Sequence, residues 1–357
     1  MKTKSPVRGF LSVTISVKSW LLVVMTKTKV VILGGGTGTY TVLRGLSLYA
    51  DTLALTAVVS MADSGGSTGR LRDAYGMLPV GDARMALTAL ARTDTLQQEL
   101  LRELLMYRFP KGDGLAGHNL GNLLLVALSD MLGSEAAAIS AAAALFSVQG
   151  TVLPITNDQV TLCAEYTDGS IVRGEHTIDA PQRARHSLGI AQLYLEEPHQ
   201  INPPAAEALA QADYIIVGPG DLYTSLVATA VVDGVAEAVR DSTATFVYVG
   251  NIMTRPGQTI GLRARDHQAE ITRYFCRMPD VTIVNSAPLP PAAVAAYQGL
   301  GTAPVVDDLP VDTSVYRCPL LARELVTQSV HDTVARSLIR HDSELLARAL
   351  VDYMTNV

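Results

Sequence analysis

Three times along this chain a short apolar run ends abruptly on glycines and gives way to a helical pattern. Lys29-Val30-Val31-Ile32-Leu33 stops at Gly34-Gly35-Gly36-Thr37-Gly38, and Thr39 to Leu48 reads as a helix. Leu53 to Met61 delivers Asp63-Ser64-Gly65-Gly66-Ser67, and Tyr214 to Val217 delivers Gly218-Pro219-Gly220-Asp221 ahead of helices from Leu222. A strand that is apolar at successive positions must be covered on both faces, which is the condition of a parallel sheet clothed in helices. The order strand, loop, helix, strand therefore predicts an α/β fold with a doubly wound, mostly parallel sheet.

Between these units the pattern changes twice. From Gly81 to about Phe146 it is helical, with Leu120, Leu123, Leu124, Ala127, Leu128 and Met131 at three- and four-residue steps. From about 150 to 195 it is β-rich, with runs at Thr151 to Ile155, Val160 to Tyr166 and Ile171 to Gly174 separated by Asn157-Asp158 and Asp168-Gly169 turns. This stretch reads as an insertion. Phe246 to Val249 and Val281 to Val284 are further strands, and Ser329 to Met354 a terminal helix or helix pair. With no repeat and no low-complexity linker, residues 25–357 read as a single domain.

Residues 1–24 combine a basic start with an apolar stretch. Lys18 interrupts it, no small-residue cleavage site follows, and the run is too short to cross a bilayer. The expectation is a non-native or dispensable extension with Met25 as the natural start, whose deletion leaves fold and ligand affinity unchanged. A net charge of −6 excludes sequence-independent nucleic-acid binding, and Cys163, Cys276 and Cys318 are too scattered for a disulfide framework or a thiolate zinc site. A cytoplasmic protein without membrane insertion is expected.

The glycine loops carry the chemistry. Gly34, Gly35, Gly36, Thr37 and Gly38 sit between strand and helix, where bare backbone amides and a helix start favour a phosphate. The dinucleotide spacing G-x-G-x-x-G fails because Thr39 holds the third position, and the lysine of a P-loop is missing, so a tight structural turn stays open. In the second loop, Asp63, Ser64, Gly65 and Gly66 come with Arg70 and Arg72. Asp63 suits a ribose or sugar hydroxyl or a hydrated metal, and either arginine suits phosphate unless it lies on a solvated helix face. Asp82, in Gly81-Asp82-Ala83-Arg84, reads as a helix N-cap. Gly117-His118-Asn119-Leu120-Gly121-Asn122 places Asn119, Asn122 and His118 at a helix start, for polar ligand contacts or, in the case of His118, proton transfer. The third loop offers Gly218, Gly220, Asp221, Thr224 and Ser225. All three loops should face one crevice at the carboxyl ends of the strands.

These stretches, with V-L-P-I-T-N-D from Val152 and N-I-M-T-R-P-G-Q-T-I-G from Asn251, resemble in order and as a set the YvcK-type gluconeogenesis factors. That family is related to 2-phospho-L-lactate transferase. The resemblance runs from about Lys29 to Asp342 and implies a Rossmann-like fold that binds a UDP-sugar such as UDP-N-acetylglucosamine. It also implies a role in growth on gluconeogenic carbon and in cell shape and envelope synthesis, and extends the ligand site to Asn251, Met253 and Thr254. The chain departs from the family at Ser64, where a second acid is usual, and at Ile260 and Leu262, where an acid and an aromatic are usual. Arg255, in place of a polar residue, is a candidate to contact a phosphate.

No single motif holds a nucleophile, a base and an orienting partner, which favours a non-catalytic regulator that binds a UDP-sugar. The alternative is a magnesium-dependent transferase of a phosphorylated small acid, with an acid such as Asp63 near the ion. A nicotinamide dehydrogenase is the weakest reading, because the glycine spacing fails and no acid follows at about 20 positions. A homodimer and cell-envelope regulatory partners remain open.

Overall fold

The computed structural model describes residues 26–298, 301–322 and 339–356. The expected extension at 1–24 lies outside the described residues, as does the first part of the expected terminal helix, at 329–338. The strands are β1 (Thr28–Gly34), β2 (Leu53–Val59), β3 (Thr151–Pro154), β4 (Leu162–Tyr166), β5 (Ile171–Arg173), β6 (Ile190–Leu195), β7 (Tyr214–Val217), β8 (Thr245–Val249), β9 (Val281–Asn285) and β10 (Val315–Cys318). Seven of them form one sheet in the order β10-β9-β8-β7-β1-β2-β3, with every neighbouring pair parallel. The other three form a small antiparallel sheet, β5-β4-β6. The α/β, Rossmann-like, doubly wound sheet with an inserted β-rich element is thus what the chain folds into.

The apolar runs explain the layers. Val30, Val31, Ile32 and Leu33 of β1 and Ile215, Ile216 and Val217 of β7 are at most 2% exposed, so both faces of the sheet centre are covered. Each such side chain contributes roughly 1.5–3 kcal/mol by leaving water. One covering helix is α1 (Gly36–Leu46), which buries Val42, Leu43 and Leu46. At Gly45 it meets the C-terminal helix Ser343–Asn356 so closely that a Cβ would strike the Ser343 carbonyl oxygen. The remaining helices that bear on the site are α2 (Gly66–Tyr75), α3 (Gly81–Leu90), α4 (Leu96–Met106), α5 (Leu120–Leu132), α6 (Glu135–Leu145) and the short α7 (Glu175–Asp179). Side-chain caps at Thr95, Asn119 and Ser134 start α4, α5 and α6 by accepting otherwise orphaned backbone N–H groups.

The boundaries differ from expectation at four elements. Thr151–Pro154 is not part of the insertion, because it pairs with β2 as the edge of the main sheet. β6 and β10 carry no strand signal of their own and are fixed by their partners, β4 and β9. Helix α1 begins at Gly36, three residues before Thr39, so part of the glycine stretch forms its first turn. Among the described residues no helix is long and apolar enough to cross a membrane.

Candidate functional site

Strand β1 has β2 on one side and β7 on the other, so the winding direction reverses at β1. Such a switch point opens a crevice between the diverging loops. The loop after β1 enters α1 through Gly36 at φ +64°, a left-handed conformation that glycine adopts without a Cβ penalty. A Cβ at Gly38 would run into the Pro219 carbonyl oxygen and come within 2.9 Å of Gly220 Cα, so the first and third loops touch backbone to backbone. The third loop passes into a π-helical segment, Leu222–Val227, in which the Ser225 and Leu226 N–H groups donate to Asp221 O at 2.9 and 3.1 Å. Asn251 holds this loop from the side: its Nδ2 donates to Gly220 O at 2.6 Å, and its Oδ1 accepts the Tyr248 hydroxyl at 3.2 Å. A Cβ at Gly36 would meet only the Ser225 hydroxyl, at 3.8 Å, which leaves that side of the first loop open.

The opposite wall is acidic. Asp82 is not the N-cap of α3, a place taken by Val80 without a side-chain cap; its Oδ1 instead accepts the Gly36 N–H at 2.8 Å. A half-buried carboxyl group therefore occupies the start of α1. Burial first, and Asp63 second, push Asp82 up to about 7, against the pull of the Gly36 hydrogen bond. Asp63 accepts the Gly65 N–H at 2.9 Å and is itself raised by burial. The insertion completes this wall through α7. His176 N–H donates to Ser64 Oγ at 2.9 Å, and Ser64 N–H to Glu175 Oε2 at 3.4 Å. Glu175 is pushed up to about 9 by burial and then by Asp63, Asp179 and Asp82. Asp221 rises to about 6 because burial outweighs the attraction of Arg255.

Arg255 ties the two walls together. It pairs with Asp179 of α7 at 2.6 Å and with Asp221 of the third loop at 3.1 Å. Its guanidinium is thus shared between two carboxylates, partners the sequence did not point to. Oxygens of the kind magnesium prefers are present, yet among the described residues no three acids, histidines or cysteines are disposed to hold a metal ion together.

The remaining expected residues fall in different surroundings. Gly34, Gly35, Gly36, Thr37, Gly38, Gly218, Gly220, Asp221, Thr224 and Ser225 meet at the switch point, with Thr224 Oγ1 donating to Asp179 at 3.2 Å. Asn119 and Asn122 are buried and turned inward: the Asn119 side chain caps α5, and Asn122 accepts from Arg84 Nε at 2.8 Å and donates to Thr68 Oγ1 at 3.3 Å. Thr254 exchanges two hydrogen bonds with Ala303, and Met253 bridges to Pro304. Arg70 stands exposed on α2. Glu175, His176 and Asp179 were not anticipated, because nothing in the spacing of a short helix within the insertion signals that it folds back over the crevice.

A model of the family described as 2-phospho-L-lactate transferase CofD matches residues 30–326. The chain belongs to the CofD family. Within it, the chain is similar to proteins named gluconeogenesis factor. The one from Bacillus subtilis is 36% identical over 331 residues, 92% of this chain and 98% of that protein. The one from Halalkalibacterium halodurans is 39% identical over 287 residues, 80% and 85% of the two chains. A crystal structure of a UPF0052 family member from Bacillus halodurans superposes with a TM-score of 0.80 at 33% identity, covering 92% of this chain and 99% of that one. The family read from the motifs is thereby borne out, and this CofD-family sheet is shared with a solved relative.

Proposed function

We propose that the switch-point crevice binds the diphosphate of a nucleotide sugar, a UDP-sugar such as UDP-N-acetylglucosamine, and that the protein acts as a ligand-responsive regulator in the cytoplasm. The observation that carries this reading is the Asp82 carboxylate on the Gly36 amide. A titratable acid already sits where the helix start and the glycine loop favour negative charge, so the seat suits a phosphate that displaces it or shifts its proton. The names of the relatives support a part in growth on gluconeogenic carbon, and the resemblance extends that to cell shape and envelope synthesis. Envelope-regulating proteins are the partners this role calls for.

A thermal-shift panel of UDP-sugars, NAD(P), GTP and deazaflavins, with and without magnesium, tests the reading, because a ligand bound to the folded state alone raises apparent stability by mass action. Stabilisation by UDP-N-acetylglucosamine without product is the expected result. A shift with NAD(P) alone would refute it.

A second reading, a transferase, is favoured by the acid wall. Asp82 and Glu175 are pushed up first by burial and then by neighbouring carboxylates, so several acids share one water-poor wall. Magnesium commonly takes one or two carboxylates and completes its shell with substrate phosphates and water. A bound phosphate would supply the oxygens that the acids alone do not gather. Magnesium-dependent group transfer in the same panel would select this reading.

A further inference from the structure

Next to the crevice, on the outer side of α2, lies a second polar cluster of opposite charge. Arg108 opens a loop that leaves α4 and returns to α5, closed by an antiparallel bridge from Arg108 to Asn119 and by hydrogen bonds between Phe109 and both Gly117 and His118. Two guanidinium groups clamp its returning arm. Arg70 Nη1 donates to Ala116 O at 3.2 Å and Arg108 Nη1 to Gly117 O at 2.8 Å. Gly117, at φ +79°, makes room, since a Cβ there would lie 3.1 Å from Arg70 Nη2. Among the described residues neither arginine has a carboxylate within ion-pairing distance, although the chain carries a net charge of −6.

His118 lies directly behind them and is only 8% exposed. The Asn119 N–H donates to Ser67 Oγ at 3.3 Å, and the same Ser67 oxygen lies 3.2 Å from His118 Nδ1, a contact that either partner can donate. Of the two senses of this contact, the one in which the Ser67 hydroxyl donates to Nδ1 puts the neutral ring's proton on Nε2, a donor like the arginine N–H groups beside it. Burial, then Arg70 and then Arg108 lower the proton affinity of this ring, so both cations reach it electrostatically.

The geometry points to an anion subsite formed by Arg70, Arg108 and His118, built for a phosphoryl group. Two guanidinium forks without carboxylates match phosphate oxygens in pairs, and a neutral imidazole adds one more donor without adding repulsion. A singly charged carboxylate would leave one guanidinium unbalanced, which selects phosphate. Thr68, one residue beyond Ser67, hydrogen-bonds Asp63, so consecutive residues in the first turn of α2 touch the acid wall and His118. The subsite adjoins the nucleotide crevice and needs no nucleotide in it.

The test is an NMR titration of the His118 ring in the full chain with inorganic phosphate, and with acetate as the second arm. Saturable movement of His118 with phosphate and a raised ring pKa at saturation are expected, with no saturation by acetate. Arg108→Gln and Arg70→Gln should each weaken phosphate at least tenfold. Both arginines also hold the loop between α4 and α5, so the amide shifts of Phe109, Gly117 and His118 in the same spectra separate loss of binding from loss of the loop. Arg72→Gln, whose guanidinium pairs with Asp73, should leave the titration unchanged. A His118 response that never saturates, that acetate reproduces, or that survives both arginine variants in folded protein overturns the subsite. UDP-N-acetylglucosamine binding is measured separately by calorimetry: its loss with phosphate still titrating His118 would sink the nucleotide reading alone.

Discussion

The two walls of the crevice are made from different material. The wall formed by the loops after β1 and β7 is backbone: Gly38 lies against Pro219 and Gly220, Asn251 holds the Gly220 carbonyl, and Gly36 opens α1 from a left-handed conformation. The wall formed by α3, the second loop and α7 is carboxylate, with Asp63, Asp82 and Glu175 all pushed up by burial. On the proposed reading, the first wall is the seat for a phosphate, and the second sets how much negative charge that phosphate meets on arrival. The two features come from separate parts of the chain.

Substitutions that damage the backbone wall should have the largest effects. Gly38→Ala places a methyl group against main chain that cannot rotate away, and overpacking of this kind costs about 2–3 kcal/mol. Urea unfolding should show it as a lower midpoint; an unchanged midpoint would mean that the two loops are not in contact. Gly36→Val meets open space, so its penalty is the left-handed backbone, about 1–2 kcal/mol, and the chain should still fold. The valine side chain would fill the open side of the loop and keep a phosphate from the Gly36 N–H, a charged hydrogen bond worth about 1.5–3 kcal/mol, so UDP-N-acetylglucosamine should weaken at least tenfold by calorimetry.

The acid wall should declare itself through pH. Glu175 keeps its proton in the folded state up to about 9, whereas an unfolded glutamate loses it near 4.5. The native state therefore binds more protons between those values, and stability falls as pH rises through that window, by up to about 1.4 kcal/mol per pH unit for one full proton. Glu175→Gln should flatten the upper part of that slope, above the Asp82 value of about 7, in denaturation series between pH 5 and 9. Asp82→Asn is a smaller and sharper probe. It retains an acceptor for the Gly36 N–H and removes the charge, so nucleotide affinity should rise a few-fold at pH 8 and lose its decline through pH 7. At the far end, Arg72→Gln removes an exposed pair with Asp73 and should change stability by less than about 0.5 kcal/mol.

The same division explains what was legible in the sequence. β1, β2 and β7 and their glycine loops could be read because burial on both faces demands unbroken apolar runs and close backbone approach demands glycine, and both requirements are local. Asp82 was misread because its position near a helix start suits capping, while its actual partner, Gly36, lies 46 residues away. Glu175 and Asp179 escaped notice for the same reason, since Arg255, which fixes Asp179, lies 76 residues further on. β10 was missed because Val315–Cys318 is only half-buried and owes its strand conformation to pairing with β9. Asn119 and Asn122 were recognised as polar residues at a helix start, but burial turns them toward Ser67, Thr68 and Arg84.

The central claim is that a diphosphate rests on main-chain N–H groups where β1 and β7 diverge. A crystal structure with UDP-N-acetylglucosamine tests it most directly. The account predicts phosphate oxygens within hydrogen-bond distance of the Gly36 amide and the Ser225 side, with the Asp82 carboxylate displaced or protonated. A diphosphate bound away from both loops, with Asp82 still on Gly36, would contradict it.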